Sequence, residues 1–559
     1  MERNLSMEIH NSSVSYVDLE HAIIWGEQLM KQPSSCFSIN YLKIIGLHNK
    51  EIVLDLKKAE SYTPIYFIGH NGSYKSTVLE IIYAIFASYD APSVMNDYEI
   101  DYYLEYTIHG RAVSINKKRN EYDLAIRIYS GEVQQLKAVN IGVLRRKLKK
   151  AGALPLRVIS FYAGENDRIQ KMSKHAMRGY KVKLNREVND LIKNKKEEIS
   201  LEHINKRYFH GDNELIPLLL IKAIGGREHA RTLVKEKCHV ESLIKITFST
   251  ELVLKGNKKG NKEALSVNET KMLLLRLFPE EKFEILKSPS KESSDYIISY
   301  DLIEEIDELS KVYKLYDFIA SAFDGTTRIY MKSNEESNVI INDTQLSQGQ
   351  RQWIKIIGLL SLVNDGDNLV LMDEPDAFMN PVWKYEFHET INAMLGGAAP
   401  GVNLIVTHDP LLINGVPKEQ IRIFEKTDNE VLIQEPKDNT YGLGIDGILR
   451  SSYYGLATTY DQMTSEKYYR RMFLYSKAIN NELTDKSEKR ELYDLTKDLG
   501  SLPVFNTSID YLYLDFLKAY EESELSQKKY LTSEEVKEKQ ATIEEILRDL
   551  FKEYLDEIH

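Results

Sequence analysis

The stretch from Gly69 to Thr77, GHNGSYKST, constrains the fold more than any other part of the sequence. It follows the apolar run PIYFIG, which starts at Pro64, and it opens the segment KSTVLEIIYAIFASYD. The β-branched and aromatic run predicts a buried strand, and the nearly all-apolar segment after it predicts a helix buried against a sheet. A strand, a glycine-containing loop and a buried helix in this order form the usual setting of a phosphate-binding loop.

Within this loop, Tyr74 stands where the pattern G-x-x-x-x-G-K-[ST] has its second glycine. Glycine is favoured there because a Cβ atom can obstruct the approach of the backbone to the phosphates. Lys75 is expected to neutralise the β and γ phosphates, and Ser76 to bind Mg²⁺. Taken alone, the loop fits either a nucleotide site, which is favoured, or a glycine-rich turn with an exposed lysine. The nucleotide-binding candidates are Gly69, Asn71, Gly72, Ser73, Tyr74, Lys75, Ser76 and Thr77.

The segment NLVLMDEPD, from Asn368 to Asp376, is the second candidate site. An apolar strand that ends in two acids places Asp373 where it can hold Mg²⁺, directly or through water. Glu374 then lies where it can orient and deprotonate an attacking water. A chance acidic pair at a strand end is the alternative, but the preceding apolar residues and Pro375 favour the functional interpretation.

The segment LSQGQRQW, from Leu346 to Trp353, opens an apolar helix. Its candidates for contact with nucleotide are Ser347, Gly349 and Gln350, because a helix amino terminus attracts anions. By itself this segment is better explained as a buried helix that is capped by its serine.

His408 lies in LIVTHDP, directly after a predicted strand, and could hydrogen-bond a γ-phosphate or the attacking water. A lone histidine there would more often be structural.

The order of all these segments, however, resembles that of the ABC-type ATPases. GHNGSYKST resembles their Walker A motif, LSQGQRQ the signature, LMDEPD the Walker B motif with its catalytic glutamate, AFMNP the D-loop region, and VTHD the switch histidine.

Further features resemble the RecF/SMC-like AAA branch of these ATPases. INYLKIIGLHNKEIVLDL is similar to the first hairpin of that branch, and DEPDAFMNPVW is similar to a segment of its bacterial members, with Phe378 and Asn380 in place of two histidines. Asn380 can cap a helix that starts at Pro381. The apolar face of that helix would comprise Trp383, Phe387, Ile391 and Met394. YGLGIDGILRSSYYGL, at 441–456, resembles the PtuA-like anti-phage defence ATPases of Septu and retron systems.

The resemblance implies an α/β fold, namely an ABC-type ATPase head with a mixed sheet, a P-loop core and an antiparallel β subdomain, together with a helical insertion and a helical C-terminal region. The predicted divisions are an N-terminal extension (1–36), an N-terminal lobe with Walker A (37–165), a mostly helical insertion (166–330), a C-terminal lobe (331–437) and a helical C-terminal region (438–559).

It also implies a mechanism that needs two chains. In a head-to-tail homodimer or higher homo-oligomer, Lys75 and Asp373 of one chain would face Ser347 and Gly349 of another across ATP. The resemblance implies that Glu374 and His408 are catalytic and that Ser76 and Asp373 bind the metal. It also implies ATP and Mg²⁺ as cofactors.

Composition limits the other possibilities. With a net charge of −11 over 559 residues, the chain is not expected to coat nucleic acid, although the basic runs at 117–119, 145–150 and 255–262 could meet phosphate; solvated faces are the favoured interpretation of these runs. Cys36 and Cys238 do not suggest a disulfide framework or a zinc site. Without an apolar signal core or a long apolar run, we expect a cytoplasmic chain with no membrane partner.

The tail has no D-x-D on an apolar strand, so we expect no nuclease site in this chain. The resemblance then suggests that nucleic-acid cleavage, or another toxic activity, belongs to a separate effector such as a nuclease. The insertion or the tail would be the surface that binds this effector. A helical cap that completes the ATPase is the alternative for the tail.

Three functions fit the sequence: an ATP-switched sensor or scaffold in anti-phage defence, a DNA-repair ATPase of the RecF type, and a slow-turnover structural oligomer.

Overall fold

The computed structural model describes residues 37–57, 64–128, 133–164, 167–193, 206–249, 252–254, 265–278, 283–287, 296–302, 305–333, 339–363, 367–395, 401–428, 430–456, 459–479 and 483–500. The chain forms two compact units, Met1–Tyr454 and Gly455–His559. The predicted N-terminal extension, the basic run at 255–262 and the tail after residue 500 lie outside the described residues.

The first unit contains all the strands of the described residues. These are β1 (Ser38–Leu47), β2 (Lys50–Asp55), β3 (Ile65–Gly69), β4 (Asp101–Ile108), β5 (Arg111–Lys118), β6 (Glu121–Ile128), β7 (Val133–Val139), β8 (Arg157–Tyr162), β9 (Tyr208–His210), β10 (Val240–Ser249), β11 (Val253–Leu254), β12 (Phe283–Lys287), β13 (Tyr296–Asp301), β14 (Phe323–Asp324), β15 (Thr327–Ser333), β16 (Ile340–Asn342), β17 (Asn368–Asp373), β18 (Val402–Val406), β19 (Ile421–Lys426) and β20 (Glu430–Gln434).

The α-helices of the described residues are α1 (Lys75–Ser88), α2 (Ile141–Lys150), α3 (Arg168–Ala176), α4 (Arg178–Lys193), α5 (Ile216–Ile224), α6 (Glu228–Cys238), α7 (Val267–Leu277), α8 (Ile306–Ala322), α9 (Gln348–Leu360), α10 (Pro381–Tyr385), α11 (Phe387–Leu395), α12 (Gly444–Arg450), α13 (Gln462–Ile479) and α14 (Lys486–Gly500). Short 3₁₀ helices cover Pro92–Asp97, Asn213–Leu215 and Lys418–Gln420. None of the described helices is both long enough and apolar enough to cross a membrane.

Within the described ranges, a thirteen-stranded sheet has the order β7-β6-β5-β4-β1-β2-β20-β19-β3-β18-β17-β8-β9. The strands from β19 to β9 are parallel, and those from β7 to β2 are antiparallel. β3, β17 and β18 are buried throughout because helices cover parallel sheets on both faces. This mixed sheet with its antiparallel lobe confirms the predicted fold class of an α/β ATPase head.

The sheet register brings the candidate motifs to one edge. Asp373, at the end of β17, pairs with Val406, at the end of β18, and Val406 pairs with Phe67 of β3. Helix α1 packs on these strands and buries its residues from Val78 to Ser88. Since the carboxyl ends of parallel strands are where α/β proteins bind ligands, the fold gathers Walker A, Walker B and the switch histidine there.

The region predicted as a mostly helical insertion also carries a sheet that the sequence did not reveal. Its strands β10, β12, β13 and β15 pair antiparallel, and β16 completes the order β12-β13-β10-β15-β16. Helices lie between β10 and β12 and between β13 and β15, so the pairing of these strands depends on contacts that are distant in sequence, which local periodicity does not report. Helices α5 and α6 of this region pack on the signature helix α9.

The boundary expected at residue 438 also differs from the structure, in which the first compact unit continues to Tyr454. The hydroxyl of Thr440 donates to the carbonyl of Val416, and Ile448 and Tyr453 are buried in the core of the head. In the second unit, α13 and α14 are joined by ion pairs such as Arg470 with Glu491 at 2.8 Å. The helical character of its described residues agrees with the expectation, and the other boundaries stay predictions.

Candidate nucleotide-binding and hydrolysis site

The loop between β3 and α1 has a backbone that glycine favours at three positions. The φ angles are +135° at Gly69, +79° at Gly72 and +72° at Tyr74. A Cβ atom on Gly69 would lie 2.2 Å from the carbonyl oxygen of Phe424, so this position requires glycine. The loop therefore has a positive φ at two of its glycines and also at Tyr74, where the motif has its second glycine.

Tyr74 lies in the left-handed region, and its ring has two side-chain neighbours. With ψ of 10° it precedes the first residue of α1, and its ring centroid lies 5.9 Å from that of His48 and 5.8 Å from the ammonium of Lys426. A side chain in this region costs about 1–2 kcal/mol relative to glycine. The tyrosine thus keeps a glycine-like backbone and directs its ring to the β1–β2 turn and the end of β19.

Lys75 lies inside the loop, with 7% of its surface exposed. Its ammonium donates hydrogen bonds to the carbonyls of Gly69 (2.8 Å) and His70 (3.0 Å). Burial lowers the pKa of this lysine, and the charges of Glu374 and Asp373 counteract the shift. The cation is therefore placed between the loop carbonyls and the two acids of the Walker B segment.

Asp373 fits the role of a metal ligand. Its Oδ1 accepts a hydrogen bond from the hydroxyl of Ser76 at 3.0 Å, while its Oδ2 is buried with no hydrogen-bond partner. Burial, together with the smaller effect of the charges of Glu374 and Glu80, raises the pKa of Asp373 to about 7. A buried carboxylate oxygen without a partner, beside a hydroxyl, is a donor set that suits Mg²⁺ together with phosphate oxygens.

Glu374 and His408 form a close pair. Oε2 of Glu374 lies 2.6 Å from Nδ1 of His408, and both side chains reach the surface. Glu374 has a φ of +51°, which turns the chain after β17, and its N–H donates to the carbonyl of Val406 at 2.9 Å. The pair has the spacing and access that general-base chemistry on a water molecule requires.

The signature segment is built as a capped helix. The hydroxyl of Ser347 accepts from the N–H of Gln350 at 3.2 Å, and Oε1 of Gln350 accepts from the N–H of Ser347 at 2.8 Å. The Gln350 amide also donates to the carbonyl of Cys238 at 3.1 Å. A Cβ atom on Gly349 would lie 3.0 Å from the Trp383 ring, so the helix start packs closely on α10.

These contacts realise the serine-capped helix that the sequence also allowed. Among the described residues, no hydrogen bond joins Ser347, Gly349 or Gln350 to the loop at 69–77 of the same chain. The structure therefore brings together Lys75 and Ser76 with Asp373, Glu374 and His408, but it does not add the signature to them. The nucleotide-binding roles of the three signature residues stay predictions.

The helix expected after Asn380 is present with its cap. The side chain of Asn380 accepts from the N–H of Trp383 at 2.8 Å, and Pro381 occupies the first helical position. The expected single helix is divided at Glu386 into α10 and α11. The apolar face has the expected composition, since Phe387, Ile391 and Met394 are buried and Trp383 packs against the core.

One acid near the metal-ligand candidates was not predicted from the sequence. Glu80 is 4% exposed and forms an ion pair with Arg168 at 3.4 Å and a hydrogen bond with Tyr98 at 3.3 Å. It follows Ser76 by one helical turn and so shares its helix face. The sequence signal that could have identified Glu80 is an acid within an otherwise apolar helix. Thr407, Lys384, Asp409 and Tyr454 were also missed, because their positions depend on tertiary contacts.

Several known proteins are similar to parts of this chain. Residues 249–414 match the family model "AAA domain, putative AbiEii toxin, Type IV TA system". The Septu protein PtuA of Bacillus mycoides (strain KBAB4) is 27% identical over 165 residues, which are 28% of this chain and 22% of that protein. The "Retron Vc95 probable ATPase" of Vibrio cholerae is 31% identical over 109 residues, which are 17% of this chain and 20% of that protein. The chain resembles AAA-type ATPases of anti-phage defence systems.

The resemblance predicted from the motifs is thus confirmed, while the chain spans about a fifth of the length of each of these relatives in the alignments. Among solved structures, the SMC head domain from Thermotoga maritima aligns over 72% of this chain and 99% of that one, with 9% identity and a TM-score of 0.28.

Proposed function

We propose that this chain binds and hydrolyses ATP as the switch subunit of a bacterial anti-phage defence system. The observation that carries the proposal is the convergence of Lys75 and Ser76 with Asp373, next to the close pair of Glu374 and His408. This set contains a cation for phosphates, a metal-ligand pair and a base for water, which are the parts that phosphoryl transfer to water requires.

In the proposed reaction, the loop N–H groups and Lys75 bind the β and γ phosphates. Ser76 and Asp373 would hold Mg²⁺, which when bound offsets the negative charge that builds up on the phosphates. Glu374 accepts a proton from the attacking water, and His408 keeps the Glu374 carboxylate in place through their 2.6 Å contact.

We further propose that the signature acts in a second copy of the chain. Ser347 is exposed at the start of α9, and its hydroxyl and backbone stand at a helix amino terminus, which attracts anions. Because one helix terminus cannot surround a triphosphate, a head-to-tail dimer would supply the second one. ATP would then join the two heads, and hydrolysis would separate them.

The defence role is supported by the relatives, which are a Septu protein and a retron ATPase. We propose that the nucleotide state of the head controls a separate effector encoded beside this chain. Protection against phage should then require both ATP binding and hydrolysis. Plaque counts on cells that carry the chain with its neighbouring genes should rise to the level of unprotected cells with Lys75→Ala and with Glu374→Gln.

The biochemical test is ATP turnover, ATP affinity and native mass of the wild type beside these two variants, with and without DNA. Glu374→Gln should bind ATP, turn over about a hundredfold more slowly and accumulate as a dimer or larger assembly. Lys75→Ala should bind ATP about tenfold or more weakly. Glu389→Gln, an exposed acid on α11, and Lys311→Ala, 71% exposed, are matched controls. An ATP affinity in Lys75→Ala equal to that of wild type would refute the proposal. Stimulation of ATP turnover by DNA would favour the alternative function as a DNA-repair ATPase of the RecF type.

A further inference from the structure

Thr407 joins the loop that carries Glu374 to the loop that carries His408. Its hydroxyl donates to Oδ1 of Asp376 at 3.1 Å and accepts from the N–H of Asp409 at 3.0 Å. Asp376 follows Glu374 by two residues, and Asp409 directly follows His408. The two loops are therefore linked by side-chain contacts immediately beside the hydrolytic pair.

Lys384 makes a second link between the same loops. Its ammonium donates to Oδ2 of Asp409 at 2.6 Å and lies 3.4 Å from Oδ2 of Asp376. Lys384 projects from α10, which is fixed at its start by the Asn380 cap. It is thus held on a helix while it pairs with both loops at once.

The charge of Lys384 is needed where it lies. Asp376 is 2% exposed, and a buried carboxylate without a partner is strongly unfavourable. Burial alone would lower the pKa of Lys384, but the hydrogen bond to Asp409 and the charge of Asp376 raise it above its ordinary value. The lysine therefore stays protonated and balances two acids close to Glu374.

Tyr454 is a further titratable group beside this cluster. Its hydroxyl is buried and has no hydrogen-bond partner among the described residues. Burial raises its pKa, and the carboxylates of Asp409, Asp376 and Glu374 raise it further, so the phenol stays neutral. Lys384 is accordingly the cation that pairs with Asp376 and Asp409 in the described contacts.

We infer that Lys384 is a positioning residue for hydrolysis. By bridging Asp376 and Asp409, it holds the loop of Glu374 against the loop of His408 and so maintains the contact between the base and its partner. The inference rests on the proposed function, because Lys384 acts through the hydrolytic pair. It lies outside the Walker B and switch segments, and its ion pairs in the described structure are with Asp376 and Asp409 rather than with the loop at 69–77 or Asp373.

The test compares Lys384→Met with Lys384→Arg, using kcat and KM for ATP with Mg²⁺ and equilibrium ATP binding. Lys384→Met should lower kcat about tenfold or more, with KM and ATP affinity within about twofold of wild type. Lys384→Arg keeps the charge and should recover most of kcat. Lys237→Met is the matched control, since Lys237 pairs with Glu386, which directly follows α10, and with neither loop.

Three results would overturn the inference. They are a wild-type kcat in Lys384→Met, an equal loss of kcat in Lys384→Met and Lys384→Arg, and a loss of ATP affinity in Lys384→Met that is as large as its loss of kcat. If Lys384→Met does not fold, Asp409→Asn removes the charge that Lys384 pairs with in the loop of His408 and leaves Lys384 in place. It should lower kcat without changing KM, and wild-type kcat there would also overturn the inference. A wild type that binds ATP without turnover refutes the proposed function and the inference with it. An active wild type with an active Lys384→Met refutes the inference alone.

Discussion

Nδ1 of His408 lies 2.6 Å from Oε2 of Glu374, although the two residues follow different strands of the central sheet. The contact exists because β17 and β18 are neighbours in parallel register, so their carboxyl ends meet. It pairs the Glu374 carboxylate with His408, while the charge of Glu374 also acts on Lys75 and Asp373.

From this contact we expect His408→Asn to lower kcat for ATP about tenfold to a hundredfold while ATP affinity stays close to that of wild type. The reason is that the base remains but loses the group that orients it. Steady-state kinetics and equilibrium ATP binding check this expectation. His229→Asn, an exposed histidine on α6, is the control, and a wild-type kcat in His408→Asn would show that the pair has no role in turnover.

The raised pKa of Asp373 predicts a pH-dependent stability in metal-free buffer. The folded carboxyl keeps its proton up to about pH 7, whereas the unfolded one loses it at about pH 4. The native state therefore binds more protons in this interval, and the free energy of unfolding falls as pH rises through it.

Asp373→Asn removes this proton linkage. We expect the variant to exceed the wild type in free energy of unfolding by on the order of 1–3 kcal/mol at pH 8, and by less at pH 5.5. Urea denaturation with EDTA at both pH values measures the difference. A difference that does not change with pH would contradict the burial of a protonated Asp373.

The left-handed backbone of Tyr74 predicts opposite effects of two small substitutions. Tyr74→Gly relieves the strain, while Tyr74→Ala keeps it and loses the ring contacts with His48 and Lys426. We expect the glycine variant to be more stable than the alanine variant by about 1 kcal/mol. Thermal unfolding tests this, and a more stable alanine variant would exclude the left-handed conformation.

The same glycine variant tests whether the tyrosine slows turnover. We expect kcat to rise in Tyr74→Gly, because a glycine lets the backbone approach the phosphates without a Cβ atom. Single-turnover ATP hydrolysis checks the chemical step directly. An unchanged rate would mean that the tyrosine is tolerated and has no effect on turnover.

The signature serine can be tested without disturbing its helix. Aspartate caps helices about as well as serine, so Ser347→Asp should keep the thermal stability of wild type, whereas Ser347→Ala should lose about 1 kcal/mol. If Ser347 faces nucleotide across a dimer, the added negative charge should abolish the ATP-dependent increase in native mass. Normal assembly in Ser347→Asp would leave Ser347 with a capping role alone.

The sequence by itself determined the local parts of this molecule. The strand, loop and helix around Lys75, the acidic pair at the end of β17 and the cap at Asn380 all follow from neighbouring residues, because strand period, helix period and capping are short-range effects. The first hairpin at 38–55 and the mixed ATPase fold were predicted for the same reason and from the motif order.

The tertiary structure decided which of these parts touch. The pairing of Glu374 with His408 and the bridge of Lys384 between Asp376 and Asp409 depend on strand order and on where α10 packs. The antiparallel sheet in the insertion and the inclusion of Tyr454 in the head likewise depend on long-range contacts. A periodic pattern reports that a side chain is buried but not which partner it meets, so these relationships could not be predicted from the sequence.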